Sequence, residues 1–330
     1  MGVVIDGTWH PDGYESTNDD GEFERGETTF RDEIVADPAA RFTAEPDRYH
    51  LYIARACPWA HGAALVRSVT GLDDVISMDI VDPLRFENGW QFSPDKEGCT
   101  PDSVTGADYL REVYTAADPG YTGHVTVPVL WDKQAETIVN NESVEIMRML
   151  DAAFHDYKSR PITLRPEDTA ADIDAIIERL YDPINNGVYR AGFARSQSAY
   201  DQAVDALFAA LDHWDDVLAD QRYLAGDELT LADLRLFPTL VRFDQVYHTH
   251  FKCNVRRLVD YDNLWNYSKE LYQLPGVSET VNMTHIKEHY YRTHESINPT
   301  GIVPRGPALD FTAPHDRDRL PGGPPTALVA

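Results

Sequence analysis

Strand-like patterns are confined to one part of this 330-residue chain, and this restricts the folds that the chain can adopt. Strand patterns occur only between residues 50 and 141, where they alternate with helical segments. The predicted order is strand 50–54, helix 58–71, strand 75–82, a helix beginning at LREVY, strands 125–132 and 136–141, and helix 143–154. From about residue 165 hydrophobic residues recur only at helical spacing. The sequence therefore predicts an α/β unit followed by an all-α unit.

Composition sets the outer boundaries of these units. The first 45 residues are polar and rich in Gly and Asp, and the last 21 are rich in proline. Neither stretch has a sustained period, so we expect an extended arm and a loose tail. The predicted divisions are an arm at 1–45, an α/β domain at 46–160, an all-helical domain at 161–309 and a tail at 310–330.

The charge is strongly negative and is spread along the whole chain. There are 36 Asp and 19 Glu but only 6 Lys and 23 Arg, which gives a net charge of −26. Molar salt shortens the Debye length to about 3 Å and so damps repulsion among carboxylates. We therefore predict a halophilic protein; an acidic mesophilic protein is the alternative. Nucleic acid is excluded as a partner, because phosphate binding needs clusters of Lys and Arg.

The sequence also indicates the compartment. The N-terminus has no basic segment followed by an apolar one, and no apolar run approaches the ~20 residues of a membrane span. Cys57, Cys99 and Cys253 are too few for a disulfide framework and have no zinc-type spacing. We expect a cytoplasmic protein without metal and without membrane contact.

Cys57 lies where a predicted strand gives way to a helix, in the stretch HLYIARACPWAH. Proline is favoured at the first helical position, so Pro58 places Cys57 at the N-cap. The positive end of the helix dipole and the free backbone N–H groups favour a thiolate there. A small buried side chain is the alternative interpretation. The position before proline favours a reactive thiol.

Ala60 stands where a dithiol oxidoreductase would have its second cysteine. Without a resolving thiol, Cys57 would form a mixed disulfide that an outside thiol must release. A low-molecular-weight thiol is therefore the expected co-substrate. His61, one turn along the helix, is interpreted as a packing residue, although it could also tune the thiolate.

Two further segments indicate where that thiol binds. The strand and helix order, with Val127-Pro128 at the third strand, is similar to that of thioredoxin-like domains, in which a cis proline leaves the preceding backbone free to pair with a ligand. We expect a cis bond there. In NNESVE, Glu142 and Ser143 open a helix where charged ligand groups can be held. A plain helix cap would give the same pattern.

Together these residues resemble the xi class of the glutathione transferase superfamily, the glutathionyl-hydroquinone reductases. The resemblance covers most of the chain and includes these stretches: GEFERGETTFRDEI, RYHLYIARACPWAH, GWQF, GHVTVPVLWDK, TIVNNESVEIMRML, NNGVYRAGFARSQSAY and HIKEHYYRTHESINPTGIVPRGP. It implies a thioredoxin-like domain followed by an all-helical glutathione-transferase domain. It also implies a homodimer.

The resemblance further implies a reductive removal of glutathione from glutathionyl-hydroquinones, or from related aromatic thioethers. Cys57 matches the nucleophile, which would take the glutathionyl sulfur and release hydroquinone. Tyr189 and Tyr290 match tyrosines that line the aromatic pocket, and Tyr291 replaces Tyr290 if the match is shifted by one. Glutathione itself would be held by five matched residues: Trp90, Arg111, Val127, Glu142 and Ser143.

Two positions depart from the family's pattern. The family commonly has arginine after CPWAH and before VTVPVLWD, where this chain has Gly62 and His124. Fewer cations would suit γ-glutamylcysteine, which lacks the glycine carboxylate of glutathione. Either thiol is therefore a candidate co-substrate.

Two other functions stay open, and one further motif concerns folding alone. A general thioltransferase or dehydroascorbate-type reductase, as in omega-class relatives, would use the same Cys57. A non-catalytic quinone- or thiol-binding protein would not need a cysteine at an N-cap. The stretch TLAD (230–233) predicts a capping box with Thr230 as N-cap and Asp233 bonding back, and its role is in folding.

Overall fold

The computed structural model describes residues 2–11 and 17–329, which fall into two units. Of the described residues, the first unit takes those within Met1–Glu15, Gly26–Pro161 and Thr280–Glu295. The second takes those within Ser16–Arg25, Ile162–Glu279 and Ser296–Ala330. The division after Pro161 lies next to the predicted one after residue 160. The sequence did not predict that segments 16–25 and 280–295 belong to the opposite units.

The strands belong to two small sheets in the first unit. In chain order they are β1 (Val3–Ile5), β2 (Thr8–His10), β3 (Tyr49–Ile53), β4 (Ser77–Ile80), β5 (Gly123–His124), β6 (Val129–Asp132) and β7 (Thr137–Asn140). The larger sheet has the order β4-β3-β6-β7, with β3 parallel to β4 and antiparallel to β6. The smaller sheet has the order β2-β1-β5 and is antiparallel.

Among the described residues, the helices follow the predicted division along the sequence except in segment 280–295, which belongs to the first unit. In chain order they are α1 (Pro58–Val69), α2 (Leu110–Ala117), α3 (Ser143–Ala152), α4 (Ala170–Leu180), α5 (Gly187–Phe193), α6 (Gln197–Asp220), α7 (Leu231–Arg242), α8 (Asp262–Gln273), α9 (Met283–Thr293) and α10 (Thr326–Val329). The first unit holds α1, α2, α3 and α9, and the remaining helices belong to the second. The predicted thioredoxin-like domain and helical domain are confirmed.

Local chemistry explains both ends of α1. Pro58 occupies the first turn, where a missing N–H removes no helical bond. After Thr70, Gly71 adopts φ +68°, and the N–H groups of Gly71 and Leu72 return to carbonyls of the last turn. The predicted closure by Gly71 is therefore confirmed.

The third predicted strand is shorter than expected. It was predicted over 125–132 but begins only at Val129, because Pro128 has no N–H to donate to the ladder. Upstream of it, Gly123–His124 joins the smaller sheet by pairing with β1. The arm therefore contributes β1 and β2 to the first unit.

Buried hydrogen bonds stabilise the second unit. The predicted capping box is confirmed, since Asp233 accepts from the N–H of Thr230 at 2.7 Å. The expectation of a loose tail is wrong for Arg317, which is fully buried. Its guanidinium donates to the carbonyls of Leu218, Gln221 and Arg222, so long-range hydrogen bonds hold this part of the tail in place.

Candidate active site

Cys57 lies at the N-terminus of α1, where the end of β3 leads into that helix. It is the N-cap residue, with Pro58 at the first turn as predicted. Its backbone is fixed at both sides: its N–H donates to Ala54, and its carbonyl accepts from His61, each at 3.0 Å. The side chain is half-buried. A thiol at this position meets the positive end of the helix dipole, which favours its thiolate form.

Val127 places a backbone carbonyl beside that sulfur. The Sγ of Cys57 donates to the Val127 carbonyl oxygen at 3.6 Å. Val127 is buried, and the Val127–Pro128 peptide bond is cis, as predicted. Two residues that the sequence singled out separately are thus in direct contact.

Glu142 and Ser143 form the start of α3. Glu142 is the N-cap, and its Oε1 accepts from the N–H of Val144 and from the hydroxyl of Ser143, each at 3.4 Å. Its Oε2 accepts from the hydroxyl of Thr28 at 3.2 Å. Glu142 is half-buried and Ser143 is buried. The helix cap and a carboxylate able to bind an ammonium group therefore coexist at one residue.

Trp90 and Arg111 lie in adjoining segments. The carbonyl of Trp90 accepts from the N–H of Leu110, the first residue of α2. The Arg111 guanidinium donates to the carbonyl of Asn88 and lies 4.0 Å from the ring centroid of Tyr109. It also lies 5.5 Å from the ring of Trp9 in the arm. The Arg111 guanidinium, a predicted contact of glutathione, is therefore engaged with protein groups.

Trp90 is buried and contacts two cationic or titratable side chains. Its ring stacks on His289 of α9 at 5.3 Å with an interplanar angle of 18°. The Cζ of Arg85 lies 5.1 Å from the Trp90 ring. His289 Nδ1 lies 2.7 Å from the carbonyl of Pro83, so this nitrogen carries the hydrogen. Sequence reasoning missed both Arg85 and His289; only the match of EHYYRTH drew attention to α9.

The two predicted pocket tyrosines lie in different units. Tyr290 is buried in α9, and its ring meets those of His289 and His294 edge-on at 5.3 and 5.4 Å. Tyr291 is buried as well. Tyr189, in the second unit, lies in an aromatic cluster with Phe251 at 5.5 Å. The roles of these tyrosines remain predictions.

His61 of α1 contacts the segment that precedes α9. It is buried, and its Nε2 lies 2.7 Å from the hydroxyl of Thr280. This contact agrees with the interpretation of His61 as a packing residue. The Thr280 contact had no local signal in the sequence.

The other two cysteines have different surroundings. Burial and the nearby Asp82 carboxylate raise the pKa of Cys99 to about 11. Burial also raises the pKa of Cys253 well above its usual range. Both remain protonated near neutral pH, so neither is a thiolate nucleophile.

Gly62 and His124 carry no positive charge at neutral pH. A side-chain carbon at Gly62 would lie 2.7 Å from the sulfur of Met147, where α1 packs on α3. Burial and the nearby Arg85 charge lower the pKa of His124, so its ring is neutral. Both departures noted in the sequence therefore leave neutral positions.

Residues 2–11 and 17–329 contain neither a metal-binding cluster nor a membrane-spanning helix. There is no cluster of three or more His, Cys, Asp and Glu residues able to hold a metal ion. No helix in the same residues is long and apolar enough to span a membrane.

Models of known families match both halves of the chain. The glutathione S-transferase N-terminal domain matches residues 56–153, and the glutathione S-transferase C-terminal domain matches residues 197–270. A cysteine at the N-cap of the first helix, beside a cis proline, therefore lies within a glutathione-transferase fold.

Individual proteins narrow this class. Glutathionyl-hydroquinone reductase YqjG of Escherichia coli is 48% identical over 96% of this chain and 99% of its own length. Its glutathione-bound structure superposes with a TM-score of 0.88. Glutathionyl-hydroquinone reductase PcpF of Sphingobium chlorophenolicum is 49% identical over 93% and 97% of the two chains. The xi-class glutathione transferase of Natrialba magadii is 56% identical over 98% of each chain, with a TM-score of 0.93.

This chain belongs to the glutathionyl-hydroquinone reductase family, the xi class of the glutathione transferases.

Proposed function

We propose that the chain is a thiol-dependent reductase that removes glutathione from glutathionyl-hydroquinones and releases hydroquinone. The observation that carries the proposal is the position of the Cys57 sulfur, at the N-cap of α1 and 3.6 Å from the Val127 carbonyl. A thiolate there has backbone beside it that a peptide-like thiol can use for alignment. The names of YqjG and PcpF support the same reaction.

The reaction proceeds in two sulfur-transfer steps. The Cys57 thiolate attacks the glutathionyl sulfur, an S–S bond forms, and the bond from that sulfur to the ring carbon breaks. The released electron pair stays on the ring carbon, which takes up a proton to give hydroquinone. A second glutathione thiolate then attacks the mixed disulfide, which releases glutathione disulfide and restores the Cys57 thiolate. Overall, the ring carbon gains two electrons, and the sulfur of the conjugate and the sulfur of one glutathione each lose one electron as glutathione disulfide forms.

The thiol that we propose is glutathione, since the YqjG structure was solved with it. Trp90, Arg111, Val127, Glu142 and Ser143 are its proposed contacts, and Glu142 would accept from the γ-glutamyl ammonium. γ-Glutamylcysteine is the competing hypothesis, since Gly62 and His124 are neutral where the family commonly has arginine. It also carries two carboxylates, the terminal one on its cysteine. Equal turnover with both thiols at molar salt would reject a preference for the smaller thiol.

We also propose a compartment, a salt environment and an oligomeric state for the protein. A thiol-consuming cycle needs a pool of reduced thiol, which is found in the cytoplasm. The acidic surface is proposed to be an adaptation to high salt. We also propose a homodimer, which light scattering in molar salt would test.

Product analysis tests the reaction. Purified protein is mixed with glutathionyl-hydroquinone and glutathione in molar salt, and free hydroquinone is separated and quantified. We expect release by the wild type and by Cys99→Ser, and none above background by Cys57→Ser. Release by Cys57→Ser would reject the mechanism. Reduction of mixed disulfides or dehydroascorbate without hydroquinone release would instead indicate an omega-type thioltransferase, and inactivity in all assays a binding protein.

A further inference from the structure

Bound glutathione carries two carboxylates, and Arg111, the one cation among its proposed contacts, also binds protein groups. The Arg111 guanidinium donates to the Asn88 carbonyl and lies against the rings of Tyr109 and Trp9. An arginine held in this way stabilises the loop before Trp90. A different side chain can then bind the C-terminal carboxylate of the thiol.

A second arginine, Arg85, belongs to the loop before Trp90 and contacts the Trp90 ring. Its Cζ is 5.1 Å from the Trp90 ring, and its side chain is half-buried. Trp90 in turn stacks on His289 at 5.3 Å. Because the tryptophan is 3% exposed and packed against α9, it offers a fixed surface for the guanidinium.

The indole of Trp90 adds a hydrogen-bond donor. Its Nε1 is buried and has no hydrogen-bond partner among the described residues. An unpaired buried N–H costs free energy, and such a group in a native protein calls for a partner outside the chain, such as a water or an ion. An indole N–H next to a guanidinium is a donor set that fits a carboxylate.

His124 relates this donor set to the reactive sulfur. The positive charge of Arg85 contributes, after burial, to the lowered pKa of His124. His124 precedes Val127 by three residues, a chain length of at most about 11 Å. Val127 in turn contacts the Cys57 sulfur.

We propose that Arg85 and the Nε1 of Trp90 bind the C-terminal carboxylate of the low-molecular-weight thiol. This is the glycine carboxylate in glutathione and the cysteine carboxylate in γ-glutamylcysteine. The inference rests on the proposed function for its ligand, but it assigns a residue that no family motif gave. Arg85 is here a binding residue and takes no part in sulfur transfer.

Binding without chemistry tests the proposal. S-methylglutathione and its glycine ethyl ester are titrated into wild type, Arg85→Met and Arg85→Lys by calorimetry. Arg256→Met is the matched control, since Arg256 also stacks on a ring, that of Tyr261 at 4.4 Å, in the second unit. We expect Arg85→Met to weaken binding of the acid about 10- to 100-fold and binding of the ester by less than 2-fold. Arg85→Lys should lie between wild type and Arg85→Met.

The outcomes separate this inference from the proposed function. Equal losses for acid and ester, or no loss in Arg85→Met, would overturn the carboxylate site even if hydroquinone release is normal. A selective loss would support the site even if no hydroquinone forms. S-methyl-γ-glutamylcysteine is titrated in parallel, and a larger selective loss with one thiol shows which carboxylate reaches Arg85. Failure of the wild type to bind either S-methylglutathione or S-methyl-γ-glutamylcysteine would also overturn the proposal.

Discussion

The hydroxyl of Thr28 donates to Oε2 of Glu142 at 3.2 Å, which connects the N-terminal arm to the N-cap of α3. The other carboxylate oxygen of Glu142 caps the helix through Val144. The arm thereby helps to fix the orientation of the carboxylate that we propose for the γ-glutamyl ammonium. Its sequence position, 114 residues away, gave no sign of this contact.

Removing that hydroxyl should weaken thiol binding. We expect Thr28→Val to raise KM for glutathione by about 3- to 10-fold with little change in kcat, because one hydrogen bond that orients Glu142 is lost. Steady-state kinetics with varied glutathione measures this. Thr312→Val, which removes an exposed hydroxyl on the tail, is the control and should have no effect. An unchanged KM in Thr28→Val would mean that Thr28 does not position Glu142.

Tyr291, next to Tyr290 in the sequence, provides a control for the predicted roles of Tyr290 and Tyr189. If Tyr290 supplies a proton or a hydrogen bond to the leaving hydroquinone, Tyr290→Phe should slow hydroquinone release by about 10- to 100-fold. Tyr291→Phe changes the adjacent buried tyrosine and should retain most activity. Tyr189→Phe is expected to resemble Tyr290→Phe. Rapid-quench measurements of hydroquinone release would decide, and loss only in Tyr291→Phe would mean that the match to the family is shifted by one residue.

Alkylation should distinguish the cysteines by their protonation. Cys99 has its pKa raised to about 11, so at pH 8 it is almost entirely the unreactive thiol. Cys57 has the helix N-terminus to stabilise its thiolate. Limited iodoacetamide at pH 8, followed by peptide mass mapping, should modify Cys57 first. Equal or faster modification of Cys99 would contradict the assignment of Cys57 as the reactive thiol.

A buried histidine in the second unit should make the fold sensitive to acid. Burial lowers the pKa of His250 to about 4, whereas the unfolded residue titrates near 6.5. Between these values the unfolded chain binds a proton that the folded chain does not, so the free energy of unfolding decreases as the pH falls through this window. The decrease is at most about 2–3 kcal/mol.

Urea unfolding of wild type and His250→Gln at pH 7.5 and 5.0, in constant salt, measures this contribution. The variant should lose less stability than wild type between the two pH values. His155→Gln, which changes an exposed histidine, should follow the wild type. A variant as sensitive to acid as the wild type would show that His250 does not contribute.

Salt should stabilise the protein if its charge is an adaptation to high salt. The 55 acidic residues outnumber the 29 basic ones, and screening reduces their repulsion. We expect Tm to rise continuously between roughly 0.1 and 2 M KCl, a range in which the Debye length falls to a few ångströms. Thermal unfolding followed by circular dichroism measures it. A constant or falling Tm would favour the acidic mesophilic alternative.

Local chemistry made one part of the site predictable. Pro58 after Cys57 predicted the helix start, and Val127-Pro128 predicted a cis peptide bond, because proline restricts the backbone of its immediate neighbours. The strand start itself was predicted four residues too early, at 125 instead of Val129. The meeting of Cys57 and Val127 at 3.6 Å then follows from the thioredoxin-like strand order. The capping box at Thr230 and Asp233 was predictable for the same reason, since its contacts span three residues.

Contacts between distant segments were not predictable in this way. The stacking of Trp90 on His289 joins positions about 200 residues apart, and nothing in either segment encodes the other. The same holds for Arg317, whose burial depends on carbonyls near residue 220 that the proline-rich tail does not announce. Such contacts depend on the packing of whole elements, which periodicity alone does not specify.

The mixed disulfide on Cys57 tests the central claim most directly. Wild type, Cys57→Ser and Cys99→Ser are each mixed in molar salt with glutathionyl-hydroquinone, and separately with γ-glutamylcysteinyl-hydroquinone, without free thiol. Intact mass is recorded over time. We predict one thiol adduct on wild type and Cys99→Ser, equimolar free hydroquinone, and no adduct on Cys57→Ser. Hydroquinone release without an adduct, or an adduct that persists in Cys57→Ser, would contradict the proposed mechanism.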